Sequence, residues 1–397
     1  MTSPPAATTP RKTERVHDVD ALRGFALLGI FVVNITFMAS AYPGNLVNDP
    51  TFSSTIDDIA RFLVAALFSM KFYLLFSFLF GYSFVLQIDA ARRAGAAFVP
   101  RILRRILGLF ALGAAHIVLL YSGDVLTTYA VACLVLLAIH RVSDRTALVT
   151  AGAIYALVTI SLVVSAAFLD RSDFMPGTDE ALVSAEEGTQ AMLGSFSDIV
   201  GQHMDGLGLL VIQAASLQGP TALAMFLLGM VAARRRLFSD LRNSRPQLLR
   251  RIQWVGFPVG VTAGLVYAWL GGDADTVATT VSVVTAPFLS VAYVATLVRI
   301  MHSPRATWVR TALEPTGRMA LTNYLAQSFV GLVLFTGIGF GLAGTVSPAL
   351  LLLVAIVVFA LQAALSSWWL RRHRYGPMEY LLRCFTNWNR PGSGVLH

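Results

Sequence analysis

Charge is what this sequence has least of. Only 13% of its 397 residues are Asp, Glu, Lys or Arg, 56% are hydrophobic, and the mean hydropathy is +0.66. A soluble chain of this length could bury a large core, but it would need a more charged surface than this, which excludes a soluble fold. Cysteine is nearly missing as well: Cys133 lies in an apolar run and Cys384 beyond the last one, so there is no disulfide framework. The polar, Pro-rich "MTSPPAATTPRKTER" lacks a secretory cleavage pattern, and the first apolar run is expected to remain as a span. There is no Walker, Rossmann or zinc-ligand spacing, and the Gly-rich "GIGFGLAG" carries no phosphate-loop lysine, which leaves close helix packing as its use. No inverted repeat is visible. The net charge of +8 does not point to nucleic acid, because no basic stretch on a soluble segment is interleaved with aromatics.

What is present is a series of long apolar runs between residues 21 and 370. They predict an all-α, polytopic transmembrane bundle of about ten spans with both termini in the cytoplasm. The expected spans are 18–41, 59–89, 101–121, 125–140, 146–168, 204–233, 252–271, 276–299, 318–342 and 346–370. Residues 1–17 read as a disordered tail, 18–374 as the bundle, and 375–397 as a basic, aromatic tail along the headgroups. Basic residues cluster between spans (Arg92, Arg93, Arg101, Arg104, Arg105; Arg234 to Arg236; Arg371, Arg372, Arg374), as positive-inside loops do. The acidic stretch 169–203 then falls outside as a loop. Piece 204–217, before a Gly219-Pro220 break, reads as interfacial or re-entrant, since a full span there would put Arg234 to Arg236 outside.

Three groups of polar residues interrupt the runs. In "HDVDALRGFALLGIFVVNI", Asp20, Arg23 and Asn34 fall on one helix face, with Asn34 roughly 17 Å deeper than Arg23. They form either a bundle-facing polar column or an interfacial ion pair plus an interhelical hydrogen bond. In "GAAHIVLLYSGDVLTTYA", His116 sits eleven residues past Arg105, well inside a span. An intramembrane imidazole is a functional candidate, and a carboxylate such as Asp124 could orient it. The plainer readings are a histidine bonded to a carbonyl and an N-cap for Asp124. In "EPTGRMALTNYLAQS", Arg318, Asn323, Tyr324 and Gln327 occupy the first turns of a span, as a snorkelling start or as a pocket whose cation and amides bind an anion. Lys71 and Arg61 sit unusually deep, and Lys71 could add a charge to that pocket or face a water-filled cavity.

Together, "DVDALRGFALLGIFVVN", "HIVLLYSGDVLTTYA", "TGRMALTNYLAQS" and "RYGPMEYLLRCFTNW" resemble the YeiB-like family of bacterial polytopic membrane proteins, over about residues 17 to 390. That family is similar in turn to the transmembrane acyltransferase superfamily, which includes the lysosomal heparan-α-glucosaminide N-acetyltransferase and bacterial O-acetyltransferases. The resemblance implies a multi-pass protein of the bacterial plasma membrane that takes an acyl group, in the first place acetyl, from acyl-CoA at the cytoplasmic side. The acceptor would be a hydroxyl or amine of a sugar, lipid or secondary metabolite. It makes Arg23 part of a shared "D-x-x-R-G" opening and Asn34 the match to an asparagine near the acyl-CoA. The heparan enzyme has a histidine about eleven residues past that asparagine. Here the position is Asn45, so either His116 supplies the base or acyl transfer is absent.

On this reading Arg23, Arg104, Arg105 and Arg318 hold the phosphates and pantetheine, and Asn34 and Asn323 position the thioester. His116, assisted by Asp124, deprotonates the acceptor. Asp20, Lys71 and Tyr324 complete the acyl-CoA-binding set. No tightly bound cofactor and no metal is required; acetyl-CoA or another acyl-CoA is a donor substrate. The expected partners are membrane lipids, acyl-CoA and the acceptor, with no nucleic acid and with a homodimer as a candidate assembly. The alternatives are a proton-coupled small-molecule transporter or flippase, and a non-catalytic membrane partner.

Overall fold

In hydrocarbon the backbone must satisfy its own hydrogen bonds within the segment, so apolar runs of this length fold as helices. The computed structural model describes residues 17–169, 175–238 and 246–388, and among them there is no strand. The helices are α1 (His17–Ala39), α2 (Thr55–Leu67), α3 (Lys71–Arg93), α4 (Phe98–Leu119), α5 (Leu126–Ile139), α6 (Asp144–Phe168), α7 (Thr178–Met192) and α8 (Phe196–Asp205). They continue with α9 (Leu207–Gln213), α10 (Gly219–Arg234), α11 (Pro246–Trp269), α12 (Thr276–Met301), α13 (Thr307–Arg318), α14 (Ala320–Phe335), α15 (Pro348–Arg372) and α16 (Pro377–Asn387). The tail expected to be disordered lies outside the described residues except for His17, which already begins α1.

Among the described residues, seven stretches are long and apolar enough to cross a membrane: α1, α2 with α3, α4, α6, α8 through α10, α12 and α15. Helices α5 and α14 are apolar but shorter. The spanning helices alternate between two ends. One end gathers the starts of α1, α4, α6 and α14 with the ends of α3, α5, α10 and α12, and carries most of the arginines; it is called the basic end below. There Arg234 donates to the carbonyl of Val142 at 2.9 Å and pairs with Asp144 at 3.2 Å, tying α10 to the turn between α5 and α6. The opposite end is roofed by α7 and α8. Gly337 and Gly344 donate their N–H groups to the carbonyls of Met192 and Ala39, and the backbone N–H of Ala41 donates to Thr189 Oγ1 at 3.1 Å.

Helix α1 is the most interior span: 61% of its apolar window is buried, against 17% for α6. It packs on α3, α13, α14 and α15. Two glycines explain how closely it does so. A Cβ on Gly317 would lie 1.7 Å from the Asp20 carbonyl oxygen, and one on Gly24 2.3 Å from that of Leu313. The glycines beside Arg23 and Arg318 therefore let α1 and α13 cross backbone to backbone.

The structure corrects four expectations. The second span is not one helix: Met70, at φ +67°, splits it into α2 and α3 with Phe68 to Met70 between them. A break at a non-Gly, non-Pro residue leaves no local sign in the sequence. The acidic loop 169–203 contains α7 and most of α8, the latter opened by a capping box of Ser195 and Asp198. Gly219-Pro220 breaks nothing, because residues 214–218 form a π turn that joins α9 to α10, and Pro220 falls in the first turn of α10, where a missing N–H costs little. The span expected at 318–342 ends at Phe335, and the glycine-rich residues after it form the docking turn against α7.

Candidate functional site

Helix α4 connects the two polar regions that matter. Near its start Arg104 and Arg105 point into the basic end. Three residues before its end stands His116, about 16 Å further along the axis.

At the basic end Arg23 donates to Asp20 one turn earlier and to Ser83 Oγ on α3. His17 meets Glu314 at 2.8 Å, and Asp18 meets His302 at 3.3 Å. Arg105 is within electrostatic reach of Arg23 and of Arg383 on α16, with Glu379 as the opposing charge. Arg104 lies 5.8 Å over the ring of Trp388. The Nε atoms of Arg104 and Arg105 are buried without a hydrogen-bond partner, although a guanidinium in such a place normally has every N–H satisfied. Cations thus outnumber acids around Arg105, which is the charge balance of an anion site. Glu379 itself accepts from the Leu321 and Thr322 N–H groups at 2.7 and 3.1 Å and from Thr322 Oγ1 at 2.6 Å, and so caps the start of α14.

At the other end of α4 the chain turns back on itself. The helix stops at Leu119 rather than running on to Asp124, and the turn brings Asp124 Oδ1 to 3.0 Å from His116 Nδ1. Both side chains are fully buried. This is an ion-pair contact short of a fully aligned hydrogen bond. The other oxygen, Oδ2, accepts from Thr127 N and Oγ1 at 2.7 and 2.9 Å, so Asp124 is both the partner of the imidazole and a cap for α5. Gly113 makes room: a Cβ there would lie 2.8 Å from Asp124 Oδ2.

The second nitrogen of His116 is also occupied. Ser328 Oγ, on α14, lies 2.7 Å from Nε2, and the serine is 1% exposed. A carboxylate can only accept, so the protonated nitrogen belongs on Nδ1, and the Ser328 hydroxyl then donates to Nε2. Tyr324, one turn before Ser328, packs its ring 5.1 Å from the imidazole, and its hydroxyl accepts from Val125 N at 3.3 Å. Tyr121 stands edge-on, 6.2 Å away. The arrangement is a hydroxyl, an imidazole and a carboxylate in line, walled by two tyrosines. Such a set can take a proton from the hydroxyl, hold it as imidazolium and return it.

The structure therefore brings together His116, Asp124 and Tyr324, and separately Asp20, Arg23 and the Arg104–Arg105 pair. Arg318 ends α13 beside the crossing with α1. Other candidates lie elsewhere. Asn323 faces away from His116: its amide donates to the Thr316 carbonyl and to Ser366 Oγ, both at 3.0 Å, while Gln327 bonds Gln362 on α15. These residues hold two helices together. Lys71 is at the opposite end from the arginines, with Nζ on the Ala65 carbonyl at 3.2 Å and over the Tyr267 ring, whose hydroxyl donates to Asp273. A lysine at the first residue of α3 cannot reach a pocket at that helix's other end. Asn34 is half-buried, and no hydrogen bond holds it among the described residues. His203, in the acidic stretch before α9, is buried on the Val118 carbonyl over the end of α4.

Sequence reasoning missed Ser328. It closes the stretch that holds Tyr324 and stands four residues after it, so the two share a helix face. Without the fold, however, a serine in a span reads as packing.

Residues 232–389 match the family described as "Protein of unknown function (DUF418)", a range that includes Ser328 and Glu379. The chain is 33% identical over 391 residues to "Uncharacterized protein YxaH" of Bacillus subtilis (strain 168), covering 94% of each chain. It is 28% identical over 389 residues to an "Uncharacterized 39.9 kDa protein in amylase 3'region" of Bacillus acidopullulyticus, again covering 94% of each. With "Uncharacterized protein YeiB" of Escherichia coli (strain K12) it shares 26% identity over 385 residues, 94% of this chain and 96% of that one. On these end-to-end similarities the chain belongs to the YeiB-like family.

Proposed function

We propose that this protein is an integral membrane acyltransferase that moves an acyl group, most simply acetyl, from cytoplasmic acyl-CoA to a hydroxyl or amine of a sugar, lipid or secondary metabolite. The observation that carries the reading is the buried His116–Asp124 pair, whose imidazole stands on the same helix as Arg104 and Arg105 and about 16 Å from Arg105 along its axis. A phosphate-bearing donor fits the basic end by charge, and its acyl arm would run along α4 toward the imidazole. Arg23, Arg104 and Arg105 hold the donor, Asp124 keeps His116 oriented, and His116 supplies general base catalysis, worth typically about 10²–10⁴ in rate. In this reading α5, α11 and α14 join the seven long stretches as spans, bringing them to ten. Both termini and the basic end are cytoplasmic, α7 and α8 face outward, and the bilayer is the bacterial plasma membrane.

The test is acetyl-CoA binding to the purified protein by calorimetry. The expected result is micromolar affinity, weakened about tenfold or more by Arg23→Ala and unchanged by His116→Ala. No binding of any acyl-CoA sinks the reading.

A second reading has its own observation. Two helical stretches are interrupted, at Met70 and at Met319, and interrupted helices are how transporters expose backbone to a substrate. His116 and Asp124 then relay a proton. Proton-coupled flux in liposomes from protein that binds no acyl-CoA would decide for it.

A further inference from the structure

An external acceptor cannot be the first group that His116 deprotonates, because Nε2 already has a hydroxyl on it. Ser328 Oγ lies 2.7 Å away, and Nδ1 is committed to Asp124. The ordinary role of a serine in a spanning helix is to donate back to the carbonyl four residues earlier. Ser77 does so to Tyr73 at 2.9 Å, Ser290 to Ala286 at 2.9 Å, and Ser83 to Leu79 at 2.5 Å. Ser328 does not, and its hydrogen bond goes to the imidazole. The hydroxyl is also placed with care. Tyr324, on the same face of α14, holds the turn that carries Asp124, so nucleophile, base and carboxylate share one support. Meanwhile Asn323 and Gln327 lock the adjacent face to α15.

We infer that Ser328 is the nucleophile of a two-step transfer and carries the acyl group as a serine ester. This rests on the acyl-CoA reading above and refines it. In the first step Ser328 Oγ attacks the thioester carbonyl carbon as its proton passes to His116 Nε2. The new C–O bond forms, the C–S bond breaks, and the thiolate takes the proton from Nε2 to leave as CoA thiol. In the second step the acceptor hydroxyl or amine gives its proton to Nε2 and attacks the ester carbon. The C–Oγ bond breaks, and the proton returns to Ser328. Nothing is oxidised or reduced, and Asp124 stays ionised beside the transient imidazolium. One consequence is that CoA leaves before the acceptor is needed, so the donor side and the acceptor side of the bundle need not be open together.

The first half-reaction can be measured without knowing the acceptor. Purified protein is incubated with acetyl-CoA and isotopically labelled CoA, and label entering acetyl-CoA is counted; mass spectrometry then follows the peptide that contains Ser328. The expected result is exchange by the wild type with a 42-Da adduct on Ser328. Ser328→Ala should lose at least 100-fold in exchange and all of the adduct, with acetyl-CoA affinity and thermal midpoint retained. Ser328→Cys should restore an adduct, now a thioester cleaved by neutral hydroxylamine. Binding without exchange or adduct overturns the acyl-serine and leaves the acyltransferase reading standing, with direct transfer. Exchange that survives Ser328→Ala but not His116→Ala overturns it in favour of the imidazole as nucleophile. Absence of acetyl-CoA binding removes both.

Discussion

Asp124 serves two neighbours with its two oxygens, and the variants that separate them are simple. Asp124→Asn keeps an oxygen for the Thr127 N–H but removes the charge that holds an imidazolium. Turnover, or CoA exchange, should fall about 10²–10⁴-fold while the thermal midpoint hardly moves. Asp124→Ala should lose the same activity and also about 0.5–2 kcal/mol of stability, from the lost cap. If both variants lose stability alike and activity is untouched, the pair is only packing. The sequence already offered Asp124 both as a carboxylate that could orient His116 and as a helix cap, without placing the two in contact. That these are one residue's two oxygens was not legible, because it depends on a turn that reverses right after Leu119. Ser328 was illegible for a different reason: its partner is 212 residues away.

Among the elements, the crossing of α1 and α13 tolerates the least change. A methyl at residue 317 meets a backbone oxygen rather than a flexible side chain, so nothing can give without moving a helix. Gly317→Ala should cost about 3 kcal/mol or more, at the top of the range for overpacking, and thermal unfolding in detergent will read it. Gly152, which has open space around it, is the control and should change little. Helix α14 depends on a cap from outside itself. Removing the Glu379 carboxylate by Glu379→Ala should destabilise by about 1.5–3 kcal/mol, and Glu379→Gln by less, since its oxygen can still accept. The long apolar helices were readable from run length, though not the polar α7 and α8, and the shared face of Asp20 and Arg23 from spacing. Interruptions were not: Pro258 and Pro287 sit inside continuous helices, whereas Met70 and Met319, with nothing in their chemistry to announce it, sit at breaks. Packing partners decide where a span bends, and a single sequence does not list them.

At the scale of the whole molecule, the roof at the end opposite the arginines is held by polar contacts as well as by hydrocarbon, Met192 belonging to one buried cluster with Met38, Ala39 and Phe335. Tyr42 donates to Glu186 on α7 at 2.7 Å. That hydrogen bond, and then one from Gln190, holds the Glu186 carboxyl below its usual value, while burial and then the same bond push the Tyr42 phenol up to about 12. The depressed carboxyl contributes to docking above the unfolded glutamate value, and the contribution disappears as pH falls through the lowered one. The raised phenol contributes below its unfolded value of 10.0, and that share disappears as pH rises through about 12. Limited proteolysis within residues 178–192 should therefore quicken on going from pH 7 to pH 3. Glu186→Gln should be fast at both.

The Glu379 cap on α14 also has a consequence for synthesis. Leu321 and Thr322 enter the bilayer nearly sixty residues before the carboxylate that will satisfy them has been made. Until it arrives, two amide groups and a hydroxyl at the start of α14 have no acceptor from the protein. A nascent chain halted just short of residue 379 thus has every spanning helix made and α14 able to bond α15 through Asn323 and Gln327, while the first turn of α14 still waits for its acceptor; the last helix to be translated is what closes it.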